Sequence, residues 1–268
     1  MVQIKNNNFS LAQISESGQC FRMNELNGGR YGLTAHGRYL ELMQKEDVIF
    51  FDCAEEEFEQ IWKEYFDLNT DYGKIIALAD DKDLYLQKAA DYGKGIRILK
   101  QDAWEMVISF IISQQNNIKR IRRCIDLLCT RYGEELHTKE GRIYYAFPTP
   151  ESLAAASLEE LYACNLGYRS RYVKQSAQSI ATGEVDLEKV GGMEYPHSVG
   201  ELKKLCGVGD KVADCISLFG LHQLEAFPKD VHINRVLEKQ YPDGFPFEKY
   251  KGYAGVLQQY LFYYDLTV

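Results

Sequence analysis

The chain has 268 residues, 46% of them hydrophobic and 13% aromatic, enough for one large domain or two modest ones with a real core. Its net charge of −8 at pH 7 argues against a polyanion ligand unless the basic residues are gathered on one face, because nucleic-acid affinity rests on lysines and arginines that displace counterions. No apolar run approaches the roughly 20 residues of a membrane span, "MVQIKNNNFS" lacks the pattern of a signal peptide, and seven cysteines without a CxxC pair or a Cys/His cluster suit reduced thiols, so an intracellular chain without structural zinc or iron–sulfur cluster is expected.

The first elements read as strands: "RYGLTA", "RYLELMQ" and "DVIFFDC", separated by turn signals at Gly28-Gly29 and His36-Gly37, predict a small antiparallel sheet. In "FEQIWKEYF", Phe58, Ile61, Trp62, Tyr65 and Phe66 have the spacing of a helix with one buried face, and that helix is expected to cover the sheet. After about residue 70 the patterns are helical. Trp104, Val107, Ile108, Ile111 and Ile112 make one stripe; Ile118, Ile121, Ile125 and Leu128 make another, with "SQQNN" between them. Ser157 with Glu160 and Ser198 with Glu201 read as capping boxes, and Gly167 and Gly183 as helix stops. The fold class is therefore α+β: an N-terminal antiparallel sheet domain over residues 1–98, then a mostly helical domain over 99–268.

Two stretches gather the positive charge. "NNIKRIRRC" carries Lys119, Arg120, Arg122 and Arg123, and "LGYRSRYVK" interleaves Arg169, Arg171 and Lys174 with Tyr168 and Tyr172. They read either as a basic binding face or as solvated helix surface. In "ELKKLCGVGDKVADCISLFG", Val199, Leu202 and Leu205 line one helix and Val212, Ile216 and Phe219 the next, so Cys206 to Asp210 form a tight hairpin within a helix-hairpin-helix at about 198–220. Gly207 and Gly209 can take positive φ and bring their N–H groups close to a phosphate, or simply turn a corner. Lys211 opens the second helix, whose positive end disfavours an ammonium; a neutral amine there is a nucleophile. Asp230 stands at the N-cap of a helix beginning "VHINRV", a structural role that also fixes a carboxylate in place. The chain between Lys211 and Asp230 is long enough to go out along a helix and return, so the two can share a site.

With these residues in view, "LCGVGDKVADC" followed by "FPKDVHINRV" resembles the helix-hairpin-helix superfamily of base-excision DNA glycosylases. "GIRILKQDAWEMVISFIISQQNNIKRI", "LGYRSRYV", "SGQCFR" and "YAGVLQQYLFYYDL" narrow the resemblance to the 8-oxoguanine DNA glycosylase branch, from about residue 9 to the C-terminus. The resemblance implies that Lys211 attacks the sugar C1′ and forms a Schiff base leading to β-elimination, with Asp230 stabilising the positive charge on the sugar. It places Gly18, Cys215, Gln258 and Phe262 around the extruded base, Tyr168 in the gap, Arg120 and Arg169 on the orphaned cytosine, and Asn116, Gly207, Gly209 and His232 on phosphates. Gly18 is assigned through its backbone carbonyl, which would accept from the N7–H that oxidation creates.

The resemblance also places Gln115 on the DNA, its amide filling the vacated space where animal members have the shorter asparagine, and Cys206 stands where proline is frequent. The resemblance also implies a monovalent cation on the carbonyls of Lys203, Leu205 and Val208, no catalytic metal, no organic cofactor, double-stranded DNA as partner, no membrane, and a monomer in the cytoplasm, nucleoid or nucleus. The competing readings are a related glycosylase for another damaged base and a non-catalytic hairpin DNA-binding module. The second leaves Lys211, Asp230, Gln258 and Phe262 without a common purpose. Monofunctional relatives would lack the lysine, and the endonuclease III branch would carry a C-terminal cysteine cluster where no cysteine follows Cys215.

Overall fold

Alternating apolar and polar residues give the N-terminal sheet one dry face. The computed structural model describes residues 1–268. Strand β1 (Val2–Lys5) is followed by the short helix α1 (Leu11–Glu16), then by β2 (Met23–Leu26), β3 (Arg30–Ala35), β4 (Arg38–Lys45) and β5 (Val48–Phe51). The strands run in the order β1-β5-β4-β3-β2, every pair antiparallel. Leu33 pairs with both Met23 and Leu40, and Leu42 with Phe51; all are buried, as the period-2 pattern requires. The helical segment from Glu55 to Tyr65, which contains a π turn at Phe58–Trp62, lays Phe58, Trp62, Tyr65 and Phe66 against that face. Cross-strand pairing adds β1 and β2, and the short helix α1 lies between them; none of the three is identified from the sequence.

Beyond the sheet the chain forms α2 (Leu84–Tyr92), α3 (Ala103–Ser113), α4 (Ile118–Tyr132), α5 (Arg169–Ala181), α6 (His197–Leu202), α7 (Asp210–Phe219), α8 (Val231–Gln240) and α9 (Ala254–Thr267), with shorter helices between them. Helix α3 is buried from Trp104 through Ile112 and packs on α7, while α9 packs on α2. The larger core gathers these helices and also takes in Tyr72, Ile75, Leu86, Ala89, Ile96 and Ile98. Packing thus places side chains from Tyr72 to Ile98 in the same core as these helices. The N-terminal segment and α9 meet across this seam, which is where the site lies.

Two local expectations are corrected. The region beyond residue 70 is not wholly helical: Glu135–His137 pairs with Ile143–Tyr145 in a hairpin whose strands are too short to show an alternation. Ser198 does not begin a capping box. Helix α6 starts at His197, and the buried Ser198 hydroxyl donates instead to Gln223 at 2.6 Å, whereas the box at Ser157 and Glu160 is present.

Candidate functional site

Helix α7 brings Lys211 to the site and α8 brings Asp230. The hairpin between α6 and α7 turns at Gly207, whose φ is +82° and whose missing Cβ would lie 2.6 Å from the Tyr172 ring. Gly209 differs from the expectation of positive φ: at φ −95° it is the extended N-cap residue of α7, with open space where a Cβ would stand. Its value is therefore access to the helix N-terminus, not an unusual backbone angle. Asp230 caps α8 through a carboxylate oxygen that accepts from the Ile233 N–H at 2.9 Å, leaving the rest of the carboxylate to the pocket.

Lys211 and Asp230 line one small pocket with Gly18, Cys215, Gln258 and Phe262, the residues grouped from the sequence, together with Ser17, Phe110, Phe219, Pro228 and Gln259. Its volume of about 50 Å³ has room for one or two waters. Phe110 was not picked out from sequence because it sits inside an apolar helical stripe. Its ring stacks on Phe219 with centroids 5.5 Å apart, and the Lys211 Nζ lies 5.6 Å from its centroid. Burial pushes the Cys215 thiol up to about 11, against the opposing pull of Lys211, so the sulfur stays protonated at neutral pH. Gln258 donates through Nε2 to the Pro228 carbonyl at 3.0 Å, while its buried Oε1 has no partner. An unpartnered acceptor beside a pocket suits a donor-bearing ligand edge.

The pocket opens beside a cleft of about 1590 Å³ between the "SQQNN" loop and α8. Gln115, Asn116, Gly209 and His232 line this cleft; Arg120, Tyr168, Arg169 and Gly207 do not. Gln115 is exposed at the loop tip with φ +48°. Asn116 is engaged locally, donating to the Ile112 carbonyl at 3.0 Å and accepting from Asn117 N–H at 3.1 Å. His232 Nδ1 lies 2.8 Å from Asp265, which also binds Arg235. Burial of Asp265 is outweighed by these two partners, which hold its carboxyl below the usual range. The opposite wall carries Asp214, hydrogen-bonded by the Tyr195 hydroxyl at 3.1 Å and pushed up to about 6 by burial despite that bond. Nothing in the sequence marked it, because its partner comes from a distant loop.

The expected basic face is smaller than the sequence suggests. Arg122 donates to the Ser15 carbonyl, Lys174 to the carbonyls of Ala154 and Ala156, and Arg169, 3% exposed, to those of Gln114, Gln115 and Leu166. Lys119, Arg120, Arg123 and Arg171 remain exposed. Arg169 thus fastens the loop and is not presented to an opposite base. Tyr168, 46% exposed, projects beside it with the Arg169 guanidinium 4.5 Å from its ring. No helix is long and apolar enough to cross a membrane.

Comparison with known proteins is consistent along the chain. Residues 1–107 match the family described as 8-oxoguanine DNA glycosylase, N-terminal domain, and residues 108–243 the family described as HhH-GPD superfamily base excision DNA repair protein. A probable N-glycosylase/DNA lyase of Methanothermobacter thermautotrophicus is 32% identical over 74% of this chain and 71% of its own length. The N-glycosylase/DNA lyase of Saccharomyces cerevisiae is 36% identical over 55% of this chain, a match that spans only 42% of the yeast protein. The Clostridium acetobutylicum 8-oxoguanine glycosylase/lyase, solved with double-stranded DNA containing cytosine opposite 8-oxoguanine, superposes with a TM-score of 0.90 at 38% identity, covering 96% of this chain and 92% of that one.

Proposed function

The chain belongs to the 8-oxoguanine DNA glycosylase family of helix-hairpin-helix base-excision repair proteins, and from that premise we propose that it excises 8-oxoguanine opposite cytosine and then cleaves the strand as a lyase. The observation that carries this reading is the meeting of Lys211 and Asp230 with Gly18, Cys215, Gln258 and Phe262 in one pocket.

The DNA strand enters the cleft and the damaged nucleotide leaves the stack, at a cost of a few kcal/mol. Phe262, half-buried at the pocket, moves aside because the space present is too small for a purine. The Gly18 carbonyl accepts from N7–H, and the free Gln258 Oε1 accepts from the purine N–H edge. Guanine, whose N7 is an acceptor, would face the Gly18 oxygen with a lone pair and lose the hydrogen bond, a difference of a few kcal/mol in a dry pocket.

The Lys211 amine attacks C1′ as the glycosidic C–N bond breaks; the base leaves with the bonding pair and takes up a proton. Asp230, held by its cap, faces the positive charge that develops on the sugar. Ring opening gives an imine between Lys211 and C1′; loss of the C2′ proton to a base then expels the 3′ phosphate. Gly209 and His232 hold phosphates at the cleft, and Tyr168 fills the gap left in the duplex. Arg120 faces the orphaned cytosine, with Arg169 joining it once the cytosine's acceptors replace the loop carbonyls. The carbonyls of Lys203, Leu205 and Val208 would hold a monovalent cation, since Leu205 accepts from Val208 N–H but keeps a second lone pair. Such a cation would supply positive charge to a phosphate of the DNA backbone.

Incubation with a duplex bearing one 8-oxoguanine:cytosine pair tests the proposal. Free 8-oxoguanine and a cleaved strand are expected from the wild type and neither from Lys211→Gln; release of the base by Lys211→Gln at the wild-type rate would overturn it.

A further inference from the structure

Gly18 has no side chain and a φ of +75°, so the direction of its carbonyl must be imposed from outside. The peptides on either side of the Gly18–Gln19 peptide are both gripped by buried amides. On one side, the Ser17 carbonyl accepts from Gln259 Nε2, which reaches it from α9. On the other, the Gln19 carbonyl accepts from Gln101 Nε2 at 2.9 Å. Gln259 is 2% exposed and Gln101 7%. The Gln19 side chain, fully buried, locks the same loop by donating to the Ser17 hydroxyl and the Arg97 carbonyl and by accepting from Leu99 N–H, each at 2.9 Å. Between these fixed points the Gly18 carbonyl accepts no hydrogen bond from the protein.

From this arrangement we propose that Gln259 is a specificity-determining positioning residue: it fixes the Ser17–Gly18 peptide so that the Gly18 carbonyl meets the ligand without reorganising. The proposal rests on the reading of Gly18 as the acceptor for N7–H. Gln259 is suited to this by its place on α9. Its neighbour Gln258 and, one turn on, Phe262 line the same pocket, and a Cβ on Gly18 would stand 3.5 Å from Phe262 Cε1. One helix therefore sets the carbonyl, the unpaired amide oxygen and the ring in a common frame, and an error in any one tilts the base against the others. Without Gln259 the Ser17 carbonyl loses its donor, and the glycine can rotate toward guanine as readily as toward its oxidised form. Gln101 plays the matching part from the other side.

The test uses the full-length Lys211→Gln protein as parent, so that binding is read without turnover, and measures the ratio of affinities for an 8-oxoguanine:cytosine duplex and an undamaged guanine:cytosine duplex. Adding Gln259→Leu, close in volume but without the donor, should lower this ratio about tenfold, and Gln101→Leu should lower it in the same direction. With Lys211 intact, Gln259→Leu should cleave an abasic duplex, which offers no base to Gly18, within about twofold of wild type, since the loss is confined to base recognition. Discrimination by the parent that survives both substitutions overturns the clamp alone. Loss of abasic-site cleavage in step with lesion binding also overturns it, because a general structural defect would then suffice. A parent that binds both duplexes equally overturns the Gly18 reading and the clamp with it.

Discussion

Gly207 and Gly209 should separate stability from DNA binding within a single hairpin. Alanine at 207 must hold φ near +82° and push a methyl to 2.6 Å from the Tyr172 ring. A left-handed non-glycine residue costs about 1–2 kcal/mol and overpacking a further 1–3, giving about 2–5 kcal/mol in all. At roughly 2–4 °C per kcal/mol for a protein of this size, Gly207→Ala should lower Tm by roughly 4–20 °C. Alanine at 209 meets open space at φ −95° and loses only the modest N-cap preference for glycine, about 0.5 kcal/mol. The same methyl would stand between the α7 N-terminus and a phosphate, removing a charge-assisted hydrogen bond and weakening DNA binding about tenfold or more. Thermal melts and fluorescence anisotropy with a labelled duplex read both quantities. A Gly207→Ala protein that melts with the wild type, or a Gly209→Ala protein that binds with wild-type affinity, would refute the assignment of these two roles.

Asp230→Asn and Asp230→Ala should both lower base excision on the order of 100-fold, because each removes the charge facing the sugar, while only alanine should also cost about 1 kcal/mol of stability through the lost cap. Unchanged excision in the asparagine variant would leave Asp230 purely structural. Asp214 keeps its proton to about pH 6 in the native protein because it is buried. The native state therefore binds more protons than the unfolded chain between about pH 4 and that value, and stability falls as pH rises through this window. Asp214→Asn should flatten that part of a plot of Tm against pH, and parallel curves would count against the burial argument. DNA binding should weaken steeply between 50 and about 200 mM salt, and Arg171→Gln should reduce the slope by about one, since Arg171 is one of the exposed cations of the two basic stretches. A salt-independent affinity would remove the basic face from the account.

The legible parts of this protein are those whose signal is local. Asp230 reads as an N-cap from the Pro228 before it and the apolar spacing after it, and the helix, hairpin and helix around Gly207 follow from three- and four-residue steps of Val, Leu, Ile and Phe. Grouping Gly18 with Gln258 came from a resemblance, because 240 residues separate them and no periodicity spans that distance. Charge was the least legible feature. Arg122, Arg169 and Lys174 look like surface cations in a linear string, yet each turns to backbone carbonyls of another segment. Ser198 was misread for a related reason: a hydroxyl three residues before a glutamate satisfies the capping pattern, but Gln223, met only in the folded chain, competes for it.

In the proposed reaction the Lys211 amine itself bonds to the sugar. Incubation with an 8-oxoguanine:cytosine duplex in the presence of borohydride, followed by digestion and mass spectrometry of the protein–DNA adduct, tests it directly, because only an imine is reduced to a stable link. An adduct is expected on the peptide containing Lys211, and none with Lys211→Gln. A wild-type enzyme that releases the base but yields no adduct, or an adduct on another lysine, would contradict it.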